Sequence, residues 1–326
     1  ECANNVVRHS GATEVVIRFA ETKKQWVAPK SCGIPLKKMW GKNAGAWIGH
    51  KVTLFDAYDK IGGQLNVARE IPSKREFDET IRYFGNMLTE HKVTVKLNKK
   101  VTAQELIAEK FDDVVLATGI VPRKLNIPGA DSSKVMSYLD VLREKKPVGK
   151  SVAIIGGGGI GYDTALYLTD GGHETWAKPE EFAKEWGFDL TVSTPAGLTQ
   201  KSPEHHKSPR AVTMFKRSKG KFGGSLGKTT GWIHRLALKS KGVRQISEAE
   251  YLKIDDAGLH ILVKNEPQIL PVDSVIICAG QESVTDLVAP LEKFGLPVHL
   301  IGGAREAREL DAKAAIEDGW RLAARV

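Results

Sequence analysis

The chain has 326 residues, enough for two domains of ordinary size, and its 41% hydrophobic and 27% charged residues describe a globular protein, not a disordered one. No apolar run reaches the roughly 18 residues that a membrane-spanning helix needs, and the first residues, Glu1-Cys-Ala-Asn-Asn-Val-Val-Arg-His9, have no signal-peptide core. The net charge of +9 is spread over most of the chain without a nucleic-acid-binding motif, so phosphate-bearing cofactors are the expected partners, and nucleic acid and membrane are not.

Three cysteines, Cys2, Cys32 and Cys278, cannot build a disulfide framework, and Cys2 and Cys32 do not form a C-x-x-C metal pair. A reducing cytoplasm is the expected location. Cys278 ends an apolar strand pattern and reads as a buried thiol.

Residues 1–36 carry one strand-like run, Val15-Val-Ile-Arg-Phe19, in a polar stretch interrupted by Pro29 and Pro35. Lys51-Val-Thr-Leu-Phe-Asp56 is a strand ending in an acid. That is the second strand of a nucleotide-binding βαβ unit, whose acid takes a ribose hydroxyl. The first strand, glycine turn and helix should precede it. Gly41, Gly45 and Gly49 instead fall at spacing four with no apolar strand before them, and Lys38 to Lys51 is too short for a strand plus a crossover helix.

Gly62-Gly63-Gln64 follows as a turn. Ser73-Lys-Arg-Glu76 reads as a capping box opening a helix with Phe77, Ile81, Phe84 and Leu88 on one face. Val93, Val95 and Leu97 alternate as a strand, and Thr102-Ala-Gln-Glu105 is a second capping box. Val114-Val-Leu-Ala-Thr-Gly119 is an apolar strand before a loop at Pro122, Pro128 and Gly129. Ser137 to Lys146 reads as a helix ending near Pro147.

Ser151-Val-Ala-Ile-Ile-Gly-Gly-Gly-Gly-Ile-Gly161 then sets an apolar β-branched run before a glycine turn and a helical pattern. Gly156, Gly158 and Gly161 supply G-x-G-x-x-G, with strand before and helix after. Gly156 suits the tight turn, Gly158 the close approach of a pyrophosphate, and Gly161 the packing of helix on strand. The helix start would offer its free N–H groups to the phosphates.

Residues 170–210 read as a loop-rich insertion before the next strand, Val212-Thr-Met-Phe-Lys216. NAD sites favour an acid at that strand end. Lys216 and Arg217 stand there, with Lys219 and Lys221 near, which favours NADPH. A solvated basic loop gives the same pattern. Gly227-Lys228-Thr229 is not a P-loop, because Phe222 stands where the leading glycine is required. A helix around Ile233–Ser240 follows, then strands at 243–246, 251–254, 259–263, 269–272 and 275–280. His299-Leu-Ile-Gly-Gly303 and a helix from about Leu310 to Ala324 close the chain, with Ala314, Ala315, Trp320 and Leu322 on its inner face.

This order implies an α/β protein with two nucleotide-binding Rossmann-like domains, the second inserted in the first. Residues 37–146 plus 280–326 would form the FAD-binding domain with an incomplete first βαβ unit, and 147–279 the NADPH-binding domain. Residues 1–36 are left unplaced.

Several segments together resemble the C-terminal half of the bacterial NADPH-dependent 2,4-dienoyl-CoA reductases, in the trimethylamine dehydrogenase-like group. They are Lys51–Asp56, Ile61-Gly-Gly-Gln64, Tyr138-Leu-Asp-Val-Leu142, Ala153–Gly156, Gly227-Lys-Thr-Thr-Gly-Trp-Ile-His234, Ile277-Cys-Ala-Gly-Gln281 and His299–Gly303. The match runs over about 50–326.

The resemblance implies a glutathione-reductase-like fold that passes hydride from NADPH to FAD. In the family, electrons go on through an iron–sulfur cluster to FMN and a dienoyl-CoA, in unsaturated fatty-acid β-oxidation. It implies that Asp56 takes the FAD ribose and that Gln64, Lys74 and Val101 contact FAD. Gly156, Gly158 and Gly161 would hold the NADPH pyrophosphate, and Lys216 and Arg217 its 2′-phosphate. No side chain is assigned a catalytic acid–base role.

The family's barrel and four-cysteine segment have no counterpart here, so FMN and the cluster are not expected in this chain. A barrel domain or an electron-acceptor chain is the expected protein partner. With the FAD glycine motif missing, an NADPH-binding module without turnover is the alternative.

Overall fold

The computed structural model describes residues 51–199, 201, 203–307 and 312–325. The run at 15–19, the glycines at 41–49, Cys2, Cys32 and Leu310 lie outside the described residues.

The first elements are short: β1 (Thr53–Phe55), α1 (Leu65–Ala68), α2 (Phe77–Glu90), β2 (Thr94–Lys96) and α3 (Ala103–Ala108). The capping box at Thr102 forms as expected, with Thr102 and Glu105 each bonding the other's backbone N–H. The one expected at Ser73 does not. Ser73 takes a left-handed φ of 69°, Lys74 turns inward to 3% exposure, and the helix begins only at Phe77. Burying the lysine decides this turn, not the local cap.

Next come β3 (Val114–Leu116), β4 (Ile120–Pro122), β5 (Val135–Ser137) and α4 (Tyr138–Leu142). α4 is shorter than the periodicity implies. Ser137 caps it against Asp140, and Lys145 adopts a left-handed φ of 53° before Pro147 is reached. The glycine segment is β6 (Ser151–Ile155), turn, then α5 (Gly159–Asp170). Residues 170–210 are not all loop, since they hold α6 (Pro179–Trp186). Pro179 breaks nothing there, because it opens the helix, where no N–H partner is lost. Glu180 and Glu181 follow in the first turn and Gly187 ends it at φ 73°.

The chain continues through β7 (Ala211–Phe215), α7 (Gly231–Ser240), β8 (Arg244–Ile246), β9 (Ala249–Asp255), β10 (Gly258–Val263), β11 (Glu266–Leu270), β12 (Ser274–Ile277) and β13 (Gln281–Ser283). It ends with α8 (Val288–Phe294), β14 (Val298–Leu300), α9 (Gly302–Arg305) and α10 (Ala312–Ala323). In α10, Ala314, Ala315, Trp320 and Leu322 are half-buried.

These elements form two compact units. One holds 66–78 and 122–281; the other holds 51–65, 79–121 and the chain from 282 on. The first is therefore inserted in the second along the chain. Its sheet is five-stranded and parallel, in the order β5-β12-β6-β7-β8. A three-stranded antiparallel meander, β11-β10-β9, packs on one face.

Both faces of β6 are covered, which is why its sequence is continuously apolar. Val152 and Ile154 point to a core shared with Ile160, Leu168, Leu238 and Tyr138. Ala153 and Ile155 point to a core shared with Ile254, Leu259 and Ile261 of the meander. From β6 the chain steps out to β7 and β8 on one side, then returns to β12 on the other. The carboxyl ends of β6 and β12 thus flank the point where strand order reverses, the usual ligand position in open α/β sheets.

In the second unit, β1 pairs with β2 and β3 with β14, both parallel. Among the described residues these two pairs are not hydrogen-bonded to each other. Phe55, Val101, Leu106, Val114, Leu116 and Leu291 make the core of this unit.

Candidate functional site

The turn after β6 is closed by steric limits that only glycine meets. Gly156 stands at φ 135°, and a Cβ built there would lie 2.6 Å from the Cys278 carbonyl oxygen. A Cβ on Gly161 would lie 2.0 Å from the Gly156 carbonyl oxygen, so α5 can seat on β6 only without one. Gly158 is the residue that caps α5, and no side chain bonds the first-turn N–H groups there. Those donors, with the positive end of the helix dipole, are placed for an anion.

Gly157, which the sequence motif leaves unassigned, is also crowded, by side chains and not by backbone. Its Cβ would fall 2.9 Å from the Phe222 ring and 3.2 Å from the Lys216 stem. Four glycines in a row, where the motif requires two of those positions, was the signal for a close neighbour.

That neighbour is the loop after β7. Lys216 sits at the strand end as expected, but its ammonium serves the loop itself. It donates to the Lys219 and Lys221 carbonyls at 3.2 and 3.0 Å and lies 5.2 Å from the Phe222 ring centre. Arg217 is exposed, and its charge acts on Tyr251, whose phenol is pushed up by burial. Between this loop and the glycine turn is a cavity of about 290 Å³ lined by residues that include Gly157, Gly158, Lys216, Ser218 and Lys221.

A second cluster lies along α5. Lys74 and Asp163 form an ion pair at 2.6 Å with side chains only 4% and 8% exposed. Burial pushes the Asp163 carboxyl up, and Lys74 opposes that. Burial, and then the Lys74 charge, hold the His234 imidazole down at about 4, so His234 is neutral at pH 7. The Cys278 thiol donates to Thr164 Oγ1 at 3.6 Å and is pushed up to about 12 by burial. The sequence signalled none of this pairing, since Lys74 and Asp163 are 89 positions apart.

In the second unit, Asp56 follows β1 as expected and is 2% exposed. Its Oδ1 accepts from the Tyr58 N–H at 2.8 Å. Gln64 is 6% exposed after two glycines of positive φ, and Val101 is part of the unit's core. Gly156, Gly158, Gly161 and Lys216 are thus brought together. Lys74 pairs with Asp163 of the same helix, Arg217 is exposed on the loop after β7, and Asp56, Gln64 and Val101 belong to the other unit.

Among the described residues no helix is long and apolar enough to cross a membrane, and no group of three or more His, Cys, Asp or Glu side chains could hold a metal ion.

The family model for pyridine nucleotide-disulphide oxidoreductases matches residues 40–308. The chain belongs to that family. It is an α/β oxidoreductase domain of the glutathione-reductase-like, flavin-type fold, whose members bind FAD and NAD(P)H.

A cinnamate reductase of Clostridium sporogenes is 41% identical over 265 residues, which are 80% of this chain and 34% of that protein. A metal reductase of Desulforamulus reducens is 30% identical over 275 residues, 80% of this chain and 38% of that protein. In fold, a 2-naphthoyl-CoA reductase complex superposes with a TM-score of 0.71 at 22% identity, over 99% of this chain and 41% of that one. The chain therefore spans well under half the length of each of these proteins.

The family's cofactors can be tested against this chain's own geometry. The dinucleotide cradle fits, because the space at Gly156 and Gly161 admits no side chain and the helix start has no cap of its own. Asp56 stands directly after β1, where such an acid is expected, but it is 2% exposed and accepts from the Tyr58 N–H.

Proposed function

We propose that this pyridine nucleotide-disulphide oxidoreductase domain is the nucleotide-binding part of a larger flavin-dependent reductase in which NADPH gives a hydride to FAD. The observation that carries this is the Gly156–Gly161 turn, closed to any Cβ at both ends, beside a strand end that carries cations and no acid. When bound, the two cofactors supply the redox chemistry, and the protein supplies binding and orientation.

In this reading the domain formed by 147–279 binds NADPH. Gly156, Gly158 and Gly161 receive the pyrophosphate, and the Lys216–Arg217 edge favours a 2′-phosphate. Residues 37–146 plus 280–326 bind FAD. Asp56 accepts the ribose hydroxyl, and Gln64, Lys74 and Val101 are assigned to FAD by the family resemblance. No acid or base is needed from the chain for hydride transfer, so none is assigned.

The resemblance extends the reading to a 2,4-dienoyl-CoA reductase of unsaturated fatty-acid β-oxidation in the cytoplasm. The name of the 41% identical relative, cinnamate reductase, keeps an unsaturated acyl acceptor in view. FMN and the iron–sulfur cluster would belong to a barrel domain or partner chain.

An absorbance spectrum of the purified protein tests this. A flavin spectrum that bleaches on adding NADPH is expected. A colourless protein that consumes no NADPH with an artificial acceptor refutes it. The missing G-x-G-x-x-G before Lys51 favours one second reading, NADPH binding without turnover. Calorimetric NADPH binding with no flavin in the extract would select it.

A further inference from the structure

The stretch 174–207 lies between α5 and β7, and the nucleotide reading uses none of it. Its charge sets it apart. Four lysines stand there against six carboxylates, a net of −2, in a chain whose total is +9. Its surface differs too. Seventeen large apolar side chains are exposed among the described residues. Five of them, Phe182, Phe188, Leu190, Val192 and Leu198, fall within 182–198, a small part of the chain.

The fold gathers these five. The Phe182 and Phe188 rings stack with centres 5.9 Å apart, and Phe188 pairs with Leu198 in an antiparallel bridge. Leu190 and Val192 stand on the turn that this bridge closes. Asp189 builds the turn, because its carboxylate accepts from the backbone N–H groups and the hydroxyls of Thr191, Ser193 and Thr194. At the base, buried Glu185 of α6 accepts from Thr175 Oγ1 and, at 3.1 Å, from Lys241 Nζ just past α7. Val192 is the most telling residue. It is β-branched, takes a left-handed φ of 54° and is 74% exposed. Glycine or asparagine would relieve that backbone and a polar side chain would suit water, so folding alone does not account for a valine there.

Area and charge say what would cover the patch. With roughly 150–200 Å² for each side chain of this size, the five leave about 400–500 Å² of apolar surface in water. A stable interface takes about 800 Å² from each partner, a little over half of it apolar, or about 450 Å². Two copies of a chain carrying +9 repel over most of their surfaces. At 174–207 the local sign is reversed, and Lys178 and Lys184 alternate with Glu180 and Glu181 at α6. A two-fold axis can set the lysines of one copy against the carboxylates of the other.

We propose that two copies of this chain pair about a two-fold axis through this segment, with Leu190, Val192 and Leu198 in the contact and the Phe182–Phe188 stack beside them. The pairing does not depend on the nucleotide reading.

Sedimentation velocity of the full chain across the micromolar range tests this. Wild type should pass from monomer to dimer with concentration, and the dimer should tighten as added salt screens the net charge. Val192→Asn suits the left-handed backbone, so the thermal midpoint should hold or rise. Dimerisation should nevertheless weaken about tenfold or more, because a two-fold axis meets each substitution twice. Leu190→Glu should weaken it at least about a hundredfold, with the fold checked by circular dichroism. Ile269→Glu, on an exposed site of β11, should change it by no more than about twofold.

A monomer at every concentration overturns the proposal and gives the patch to another domain or chain. A dimer that Val192→Asn and Leu190→Glu leave intact overturns it as well, since the contact then lies elsewhere. So does a dimer that Ile269→Glu weakens as much as they do, since association would then be non-specific.

Discussion

Replacing Lys74 by methionine probes how the inserted unit is held together. The Lys74–Asp163 pair is 2.6 Å long, with side chains 4% and 8% exposed. Methionine keeps the apolar stem but leaves Asp163 as a buried carboxylate without its cation. Removing one partner of such a pair costs about 3–5 kcal/mol, far more than an exposed pair's 0–1 kcal/mol, because the remaining charge keeps its desolvation penalty. For a unit of this size that corresponds to a drop in Tm of roughly 6–20 °C.

The loss should also depend on pH. The Asp163 carboxyl is already raised by burial. A carboxyl raised in the folded state binds its proton more tightly there than in the unfolded chain. Its contribution is therefore favourable at low pH and is lost as pH rises through the raised value. Without Lys74 the value rises further, so Lys74→Met should lose more stability at pH 8 than at pH 5. Urea unfolding followed by circular dichroism at both pH values measures this, and Lys74→Met/Asp163→Leu should recover most of the loss. A cost below about 1 kcal/mol with no pH dependence would refute the buried-pair argument.

His234 is half-buried and neutral at pH 7, with its imidazole held at about 4. Stability should then fall as pH drops from about 6.5 towards 4, by on the order of 3 kcal/mol, and His234→Gln should remove that sag from an acid titration of unfolding midpoints. Gly161→Ala must displace the Gly156 carbonyl from 2.0 Å. It should lower NADPH affinity at least tenfold by fluorescence titration while the second unit stays folded; unchanged affinity would remove the cradle from the site. With its thiol pushed up to about 12, Cys278 should resist iodoacetamide at pH 8 in a Cys2→Ser/Cys32→Ser background until urea unfolds the chain. Rapid alkylation of the native protein, read by mass spectrometry, would count against its burial.

The glycine turn was legible from sequence because its constraints are local. A β-branched run, G-x-G-x-x-G and a helical pattern report φ limits and close packing within a dozen residues, and β6, the turn and α5 stand there in the fold. The insertion of one α/β unit in the other is legible for a similar reason, as each apolar run has few ways to be buried. Ser73 failed as a cap because Lys74 finds Asp163, 89 positions away, and the turn bends to bury it. α6 is not legible in the loop-rich composition of 170–210, because a proline marks a loop as readily as the helix start at which Pro179 stands.

The roles of the four cations after β7 show the same limit. Sequence fixes their charge, and therefore the sign of the strand end. Only the tertiary structure decides which ammonium folds back on its own carbonyls and which lines the cavity, because hydrogen bonds at 3 Å depend on the loop's path, and no local pattern encodes that path.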